Sequence, residues 1–285
     1  MRISEIYRCN PRVFSFEFFP PKTDEGFRTL FRTIEKLKSR QPDFVSMTWG
    51  AGGSTRRKTV EIVVKIQREI GVTSMAHLSC IGSTPDEIGE TLKRLEAGGI
   101  ENVLALGGDR PDDYVAPEGA FTFANELANF IKERSDLCIG GACYPETHPL
   151  AASSEADLRH CKQKVDAGVE VLITQLFFDN ADYFAFVERA RAAGIAAPIV
   201  PGIMPILNVA SVRRMTTLSG ARIPDDLQLA LDGVMGDDAA TGNVGVQWAT
   251  EQCRELLEQG VPGIHFYTLN KSGATRAIFE ELLRG

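Results

Sequence analysis

The sequence of 285 residues predicts one α/β domain over residues 1–285, a (β/α)₈ TIM barrel, on two observations. Short apolar segments alternate eight times with segments of helical periodicity, each pair spanning roughly 25–40 residues. The short segments are apolar almost throughout, which is typical of parallel strands covered on both faces. A doubly wound sheet is the alternative fold. No linker or change of composition indicates a second domain.

The eight predicted strands are 13–19, 44–49, 74–80, 102–107, 138–144, 171–178, 199–204 and 264–269. Pro20 and Pro21 end the first strand because proline cannot donate to a strand ladder, and Pro201 weakens the seventh for the same reason. The glycine-rich segment 50–55 lacks the third glycine of a dinucleotide-binding loop and is interpreted as a tight turn.

The helical segments are 24–39, 55–70, 84–97, 121–134, 154–167, 181–193, 209–218, 225–231, 238–258 and 273–283. Thr84, Pro85 and Glu87 have the pattern of a capping box with proline in the first turn, which marks a helix start. Residues 205–263 form the longest connection between strands and contain additional helices.

Composition and charge limit the class of protein. The chain has 31 basic and 38 acidic residues, a net charge of −7, which argues against nucleic acid and anionic membrane surfaces as partners. It has no apolar segment long enough to span a bilayer and no signal peptide, so a cytoplasmic location is expected. The six cysteines show neither a CxxC pair nor zinc spacing, which predicts reduced thiols and no metal site.

Glu17 is the first candidate for catalysis, because it stands near the end of a strand among Phe16, Phe18 and Phe19. Burial among aromatic side chains would raise the pKa of its carboxyl and let it act as a general acid near neutral pH. Pairing with an Arg or Lys of a neighbouring strand is the structural alternative.

Active sites of this fold lie where the strands end, so polar residues at several strand ends are expected to converge. The candidates at these positions are Glu17, Thr48, His77, Asp109, Tyr144, Gln175 and Tyr267. His148, in the loop after the fifth strand, is a further candidate for ligand contact. His77 alone would be interpreted as a hydrogen-bonding or core histidine, His265 as structural, and Cys80 as a packing residue.

Seven motifs, in this order along the chain, resemble the methylenetetrahydrofolate reductase family. They are SFEFFPPK (15–22), ALGGD (105–109), YPETHP (144–149), KVDAG (164–168), TQLFFD (174–179), PGIMP (201–205) and HFYTLN (265–270). The resemblance covers nearly the whole chain, and the length resembles that of the bacterial single-domain form. It implies a flavoprotein barrel that reduces 5,10-methylenetetrahydrofolate to 5-methyltetrahydrofolate, with FAD passing a hydride from NADH or NADPH. A homo-oligomer is expected.

The resemblance also implies roles for individual residues. Glu17 matches the general acid that assists opening of the folate ring, and Asp109 matches the aspartate between flavin and folate. Substrate-binding positions are Gln175, Tyr267 and Lys271. The positions that contact FAD in the family correspond to Thr48, His77, Gly107, Gly108, Asp109, Ala124, Tyr144, His148, Ala151, Asp157 and Lys164.

The chain departs from the better-known bacterial pattern at several of these sites. Gly107 stands where an Arg often occurs, and Gln163 replaces a basic residue, so cationic contacts to the FAD pyrophosphate are lost. The other departures are Trp49, Ser211, Met215 and Lys271.

Two other functions remain open. One is a pterin-binding methyltransferase barrel, which needs no flavin, and the other is a non-catalytic barrel that binds flavin or folate within a larger complex. The sequence does not determine the electron donor, the oligomeric state or the physiological direction of the reaction.

Overall fold

The computed structural model describes residues 1–49, 53–108, 113–270 and 272–284. All strands run parallel in one sheet, and they are β1 Val13–Phe18, β2 Phe44–Met47, β3 Thr73–Ser79, β4 Asn102–Leu106, β5 Cys138–Cys143, β6 Val169–Thr174, β7 Ile199–Val200, β8 Gly202–Ile203 and β9 Gly263–Tyr267. The first strand pairs with both β2 and β9, while β2 to β7 follow one another in sequence order.

The predicted seventh strand consists of two short strands separated by Pro201. β7 pairs with β6, and β8 pairs with β9, so this interrupted strand occupies the seventh position and closes the ring between β6 and β9. Pro201 has no N–H to donate, but its carbonyl accepts a hydrogen bond of 3.0 Å from the His265 amide. The prediction of a (β/α)₈ barrel is confirmed.

The described helices alternate with the strands, with two extra helices in the connection between β8 and β9. They are α1 Ile3–Cys9, α2 Asp24–Lys38, α3 Gly53–Lys65, α4 Pro85–Ala97, α5 Ala124–Arg134, α6 Ser154–Asp166, α7 Asn180–Ala192, α8 Val209–Ser219, α9 Asp225–Asp232, α10 Asp238–Glu258 and α11 Ser272–Leu282. A π-helical turn, Ile66–Ile70, continues α3. The capping box of α4 is confirmed: the Thr84 side chain accepts from the Glu87 amide, and the Glu87 side chain accepts from the Thr84 amide.

The two main differences from the predicted elements are in the sixth strand and at the start of the chain. The sixth strand ends at Thr174, four residues earlier than predicted from 171–178, and Leu176 and Phe178 after it pack in a cluster beside α8 and α9. Helix α1 was not predicted; its buried residues Ile3, Ile6 and Tyr7 pack with the interior of the barrel. The turn predicted at 50–55 includes residues 50–52, which lie outside the described residues.

Three apolar clusters surround the strands. The largest fills the layer between strands and helices, and a second fills the barrel interior with residues such as Val13, Phe44 and Met75. The third lies between the ends of β6 and β9 and helices α8 and α9. The second and third clusters leave a polar region at the carboxyl end of the barrel, where the candidate residues converge.

Candidate active site

Glu17 lies near the carboxyl end of β1 with its side chain inside the barrel, and only 8% of the residue is exposed. Alternation along the strand places Val13 on the same side, in the interior cluster. Phe16 and Phe18 point to the opposite side, into the layer of helices, and Phe19 is 41% exposed. The phenylalanines that were expected to surround the carboxyl therefore do not do so.

Two buried histidines flank the Glu17 carboxylate instead. His77 Nε2, from β3, lies 3.4 Å from Glu17 Oε2, and His265 Nε2, from β9, lies 3.5 Å from the same oxygen. The Nδ1 atom of His265 forms a hydrogen bond of 2.7 Å with Ser15 Oγ. Among the described residues, the ionisable groups that contact Glu17 are thus imidazoles rather than an Arg or Lys, and His265, interpreted as structural, contacts the site.

His77 Nε2 is buried and has no hydrogen-bond partner within the described residues, although it lies close to Glu17. A buried polar nitrogen in this state is unfavourable unless a ligand or a water molecule completes its hydrogen bonding. Together with its position at the end of β3, this makes His77 suited to contact a bound molecule.

The predicted rise in the pKa of Glu17 is wrong in direction. Burial raises the pKa of the carboxyl, but His77 and His265 outweigh it, and the net pKa is below the usual value. Burial lowers the pKa of His77 to about 4, against the opposing effect of Glu17. At neutral pH, His77 is therefore uncharged and Glu17, whose pKa lies below its usual value, is ionised.

One side of the barrel opening is formed by the ends of β2 to β5 and the loops that follow them. Thr48 directly follows β2, and its amide donates to the Phe18 carbonyl at 2.9 Å. Gly107 and Gly108 follow β4, and Tyr144 follows β5. An ideal Cβ on Gly107 would meet no described atom within 4 Å, whereas one on Gly108, with φ of +85°, would lie 2.0 Å from Ser79 Oγ.

The loop between β5 and α6 holds several of the remaining candidates together. The Asp157 carboxylate accepts a hydrogen bond of 2.9 Å from the His148 amide, and the His148 carbonyl accepts one of 2.9 Å from the Ala151 amide. The rings of Tyr144 and His148 meet edge to face at 4.5 Å. Lys164 Nζ donates to the Ala142 carbonyl, and Ala124 is the first residue of α5.

Gln175 and Tyr267 lie on the other side of Glu17. The Gln175 amide donates to the Cys143 carbonyl at 2.7 Å, and its side-chain oxygen accepts from the Leu176 amide at 2.9 Å. Tyr267 pairs in register with Glu17, and its hydroxyl donates to the Thr174 carbonyl. Burial, assisted by Glu17, raises the pKa of Tyr267 well above its usual value, so the phenol stays neutral.

Two expected site residues, Asp109 and Lys271, lie outside the described residues, and their roles stay predictions. Sequence reasoning missed Ser15, Gly202, Thr268 and Asn270. A Cβ on Gly202 would lie 2.6 Å from the Tyr267 ring, so the glycine makes room for that ring. Alternation along β1 could have indicated Ser15, two residues before Glu17, and the positions after β9 could have indicated Thr268.

A sequence profile of the family described as methylenetetrahydrofolate reductase matches residues 2–283 of the chain. The chain belongs to this family. A family member from Escherichia coli, 5,10-methylenetetrahydrofolate reductase, is 40% identical over 269 residues, which cover 94% of this chain and 90% of the relative.

The family also includes longer plant proteins. Methylenetetrahydrofolate reductase (NADH) 1 of Arabidopsis thaliana is 41% identical over 283 residues, covering 94% of this chain but 48% of the relative. The chain thus spans about half the length of the plant and fission yeast relatives it matches.

Solved structures with the same fold are more distant in sequence. A protein from Clostridium thermocellum, described as binding two copies of 5-methyl-5,6,7,8-tetrahydrofolic acid, aligns with a TM-score of 0.72 at 16% identity, covering 99% of both chains. Oxaloacetate acetylhydrolase aligns with a TM-score of 0.56 at 13% identity, over 99% of this chain and 85% of the other. At these identities the likeness supports the barrel fold alone.

No described helix is both long and apolar enough to cross a membrane. No group of three or more His, Cys, Asp or Glu side chains in the described part of the chain could hold a metal ion.

Proposed function

We propose that this chain reduces 5,10-methylenetetrahydrofolate to 5-methyltetrahydrofolate, with FAD as its bound cofactor and a reduced nicotinamide as hydride donor. The observation that supports this most directly is the buried carboxylate of Glu17, which lies between two imidazoles at the barrel opening. The chain's membership of the reductase family supports it as well. NADH is the expected donor because the plant relatives carry it in their names. The family assignment favours a reductase over the pterin-binding methyltransferase.

The residues on the side of β2 to β5 fit a flavin dinucleotide. The open space at Gly107 would let a planar ring approach the main chain. The unpartnered Nε2 of His77 provides a polar contact, the rings of Tyr144 and His148 offer stacking surfaces, and Lys164 supplies a cation for phosphate. When bound there, FAD would accept a hydride from the nicotinamide and deliver it to the folate.

Glu17 is proposed to protonate the nitrogen that leaves when the five-membered ring of the folate opens. Because its carboxylate is ionised at neutral pH in the free protein, it must take up a proton as the substrate binds. A bound pterin would exclude water, which raises the pKa of a buried carboxyl. His265, whose Nδ1 bonds Ser15 Oγ, would hold the carboxylate in place during this step.

Gln175 and neutral Tyr267 are proposed to contact the folate and the nicotinamide in turn, since each must lie against the same flavin. Their positions on the opposite side of Glu17 from the proposed flavin residues suit that role. Asp109 and Lys271 are proposed to stabilise the folate and its carboxylates, respectively.

The Glu17→Gln variant tests the function, because a general acid for folate is needed only in the folate half-reaction. The variant should reduce its flavin with NADH at nearly the normal rate. It should reoxidise the flavin with methylenetetrahydrofolate at least about 10²-fold more slowly, the usual contribution of a general acid. Stopped-flow absorbance of the flavin separates the two steps.

Glu35→Gln is the matched control, since Glu35 is exposed on α2. It should leave both half-reactions unchanged. If Glu17→Gln slowed both half-reactions equally, Glu17 would have a structural role. A wild-type chain that binds no flavin would overturn the proposal, and a chain that binds flavin without turnover would favour the non-catalytic barrel.

We further propose that the barrel is one catalytic domain. The homo-oligomer and the cytoplasmic location stay predictions.

A further inference from the structure

We propose that Asn270 is a positioning residue that holds the backbone beside Glu17 in place for catalysis; the catalytic consequence rests on the proposed function. Asn270 is exposed and follows β9. Its Oδ1 accepts a hydrogen bond of 2.8 Å from the Phe19 amide, and its Nδ2 donates one of 2.8 Å to the Phe19 carbonyl. One side chain thus binds both main-chain groups of a residue 251 positions away, two residues after Glu17.

The end of β1 needs such a partner because of its own sequence. β1 ends at Phe18, and Pro20 and Pro21 follow Phe19 without any N–H to donate. β9 ends at Tyr267, which pairs with Glu17, so regular pairing on that side stops before Phe19. The carboxamide of Asn270, with one donor group and one acceptor group, takes the place that a neighbouring strand would otherwise occupy.

Thr268 extends the same arrangement to Glu17 itself. The Thr268 hydroxyl donates to the Glu17 carbonyl at 2.6 Å and accepts from the Asn270 amide at 3.1 Å. The Thr268 amide also lies 3.3 Å from the Glu17 carbonyl. From the other side, the Thr48 amide binds the Phe18 carbonyl at 2.9 Å. The main chain of residues 17–19 is therefore held at each residue, and Asn270 supplies the two hydrogen bonds at Phe19.

The backbone conformation at this turn explains why the residue is asparagine. Leu269 and Asn270 have φ of 49° and 58°, in the left-handed region that most residues avoid. Asparagine tolerates this region better than other residues with a side chain. Glycine tolerates it too but cannot bind Phe19, and aspartate, when ionised, has no donor for the Phe19 carbonyl.

The consequence for catalysis follows from the position of the carboxyl. Asn270 has no contact with the Glu17 side chain among the described hydrogen bonds and ion pairs, so it acts through the main chain. A reacting group displaced by about 1 Å can lose up to about 10² in rate. Loss of the Asn270 hydrogen bonds should therefore impair the proton transfer by Glu17 and leave steps that do not need this proton nearly unchanged.

Asn270→Gly is the decisive variant, because glycine keeps the left-handed backbone while both hydrogen bonds are lost. We expect flavin reoxidation by methylenetetrahydrofolate to slow about tenfold or more in its limiting rate. Reduction of the flavin by NADH should stay within about twofold of wild type, and the pH profile of the folate half-reaction should shift. Asn270→Asp keeps one of the two hydrogen bonds and should show a smaller loss.

Gln41→Gly is the matched control, since Gln41 is another exposed residue with a left-handed backbone, at φ of 55°. It should leave both half-reactions unchanged. Hydrogen exchange of residues 13–19, measured by mass spectrometry on the protein without flavin, gives a second readout. Exchange at the Phe19 amide should become faster in Asn270→Gly and stay unchanged in Gln41→Gly.

Each outcome bears on the proposal. Unchanged exchange at Phe19, or equal slowing of both half-reactions, would overturn it, and so would faster exchange with an unchanged folate half-reaction. If Asn270→Gly does not fold, Asn270→Asp is compared with wild type in the same way, by exchange at Phe19 and by the rates of the two half-reactions. If the wild-type chain neither binds flavin nor reduces the folate, the proposed function and the catalytic role of Asn270 both fail. The exchange result would then still report whether Asn270 holds Phe19.

Discussion

His77 is a neutral base buried beside a buried carboxylate, and this determines how the protein responds to acid. Burial lowers the pKa of His77 to about 4, whereas its ordinary value is 6.5. Between these values the unfolded chain binds a proton at this position and the folded chain does not. Stability therefore falls as the pH is lowered through this window, because ΔG of unfolding rises with pH wherever the unfolded state binds more protons.

Replacing His77 with Gln should remove most of this dependence on pH. In the wild-type protein, protonation of unfolded His77 should lower ΔG of unfolding by about 3 kcal/mol between about pH 6.5 and pH 4. In His77→Gln the curve of ΔG against pH should be flatter in that window. Glu17, whose pKa is lowered, loses its stabilising effect only below its unfolded value of 4.5. Urea denaturation at several pH values measures the difference.

His160→Gln is the control for this measurement, because His160 is exposed on α6 and stacks on the exposed ring of Phe123. Its curve should keep the wild-type slope. A steep slope that persists in His77→Gln would mean that another group causes the acid sensitivity.

At the scale of a secondary-structure element, α10 shows how two glycines of one helix can have different effects. A Cβ on Gly245 would lie 2.0 Å from the carbonyl oxygen of Ile206, 2.7 Å from its carbonyl carbon and 2.8 Å from its nitrogen. A Cβ on Gly242, three residues earlier, would meet only Leu207 Cδ2, at 3.9 Å. The helix can approach the segment after β8 because position 245 lacks a side chain.

Gly245→Ala and Gly242→Ala should therefore change stability in opposite directions. The first forces main-chain atoms apart and should destabilise the protein by about 2–3 kcal/mol or more. The second adds an alanine to a helix without a clash and should stabilise it by about 0.5–1 kcal/mol. Chemical denaturation of both variants measures the two effects, and a loss of stability at both positions would contradict this account of the packing.

The boundaries of some strands and helices could not be read from neighbouring residues alone. Pro201 could be recognised in the sequence as a weak point of a strand, but only the pairing of β7 with β6 and of β8 with β9 shows that the strand is divided. Helix α1 could not be predicted from its short polar sequence, because its stability comes from burying Ile3, Ile6 and Tyr7 against the bottom of the barrel.

At the scale of the whole molecule, ligand binding should stabilise the fold. FAD at a hundredfold excess over its dissociation constant should add about 2.7 kcal/mol to ΔG of unfolding by mass action. For a domain of this size that corresponds to a rise in Tm of about 5 °C. Because Gly107 and Gln163 carry no positive charge, occupancy of the purified protein is expected to be partial, so added FAD should raise Tm.

Lys164→Met and Lys162→Met form a matched pair for this test on α6. Lys164 faces the Ala142 carbonyl at the end of β5, whereas Lys162 pairs with Asp166 on the surface of the helix. The first variant should need more FAD to reach the same Tm, and the second should behave as wild type. Thermal melts over a series of FAD concentrations provide the comparison, and no shift at saturating FAD would refute the assignment of a flavin cofactor.

The sequence alone determined the features that depend on neighbouring residues. The alternation of apolar strands with helical segments predicted the barrel, the capping box of α4 predicted its first residue, and the prolines after Phe19 predicted where β1 ends. Of the positions predicted at strand ends, His77 lies beside Glu17 and Tyr267 pairs with it in register, while their functional roles stay predictions. These predictions succeed because chain direction and periodicity are local properties.

Only the tertiary structure decided what surrounds the Glu17 carboxyl. The sequence neighbours Phe16 and Phe18 lie on the opposite face of β1, and the groups that set its pKa come from β3 and β9. The same holds for Asn270, which binds Phe19 across 251 positions of the chain. Contacts of this kind depend on how strands distant in sequence come together in register, because burial and charge act through space rather than along the chain.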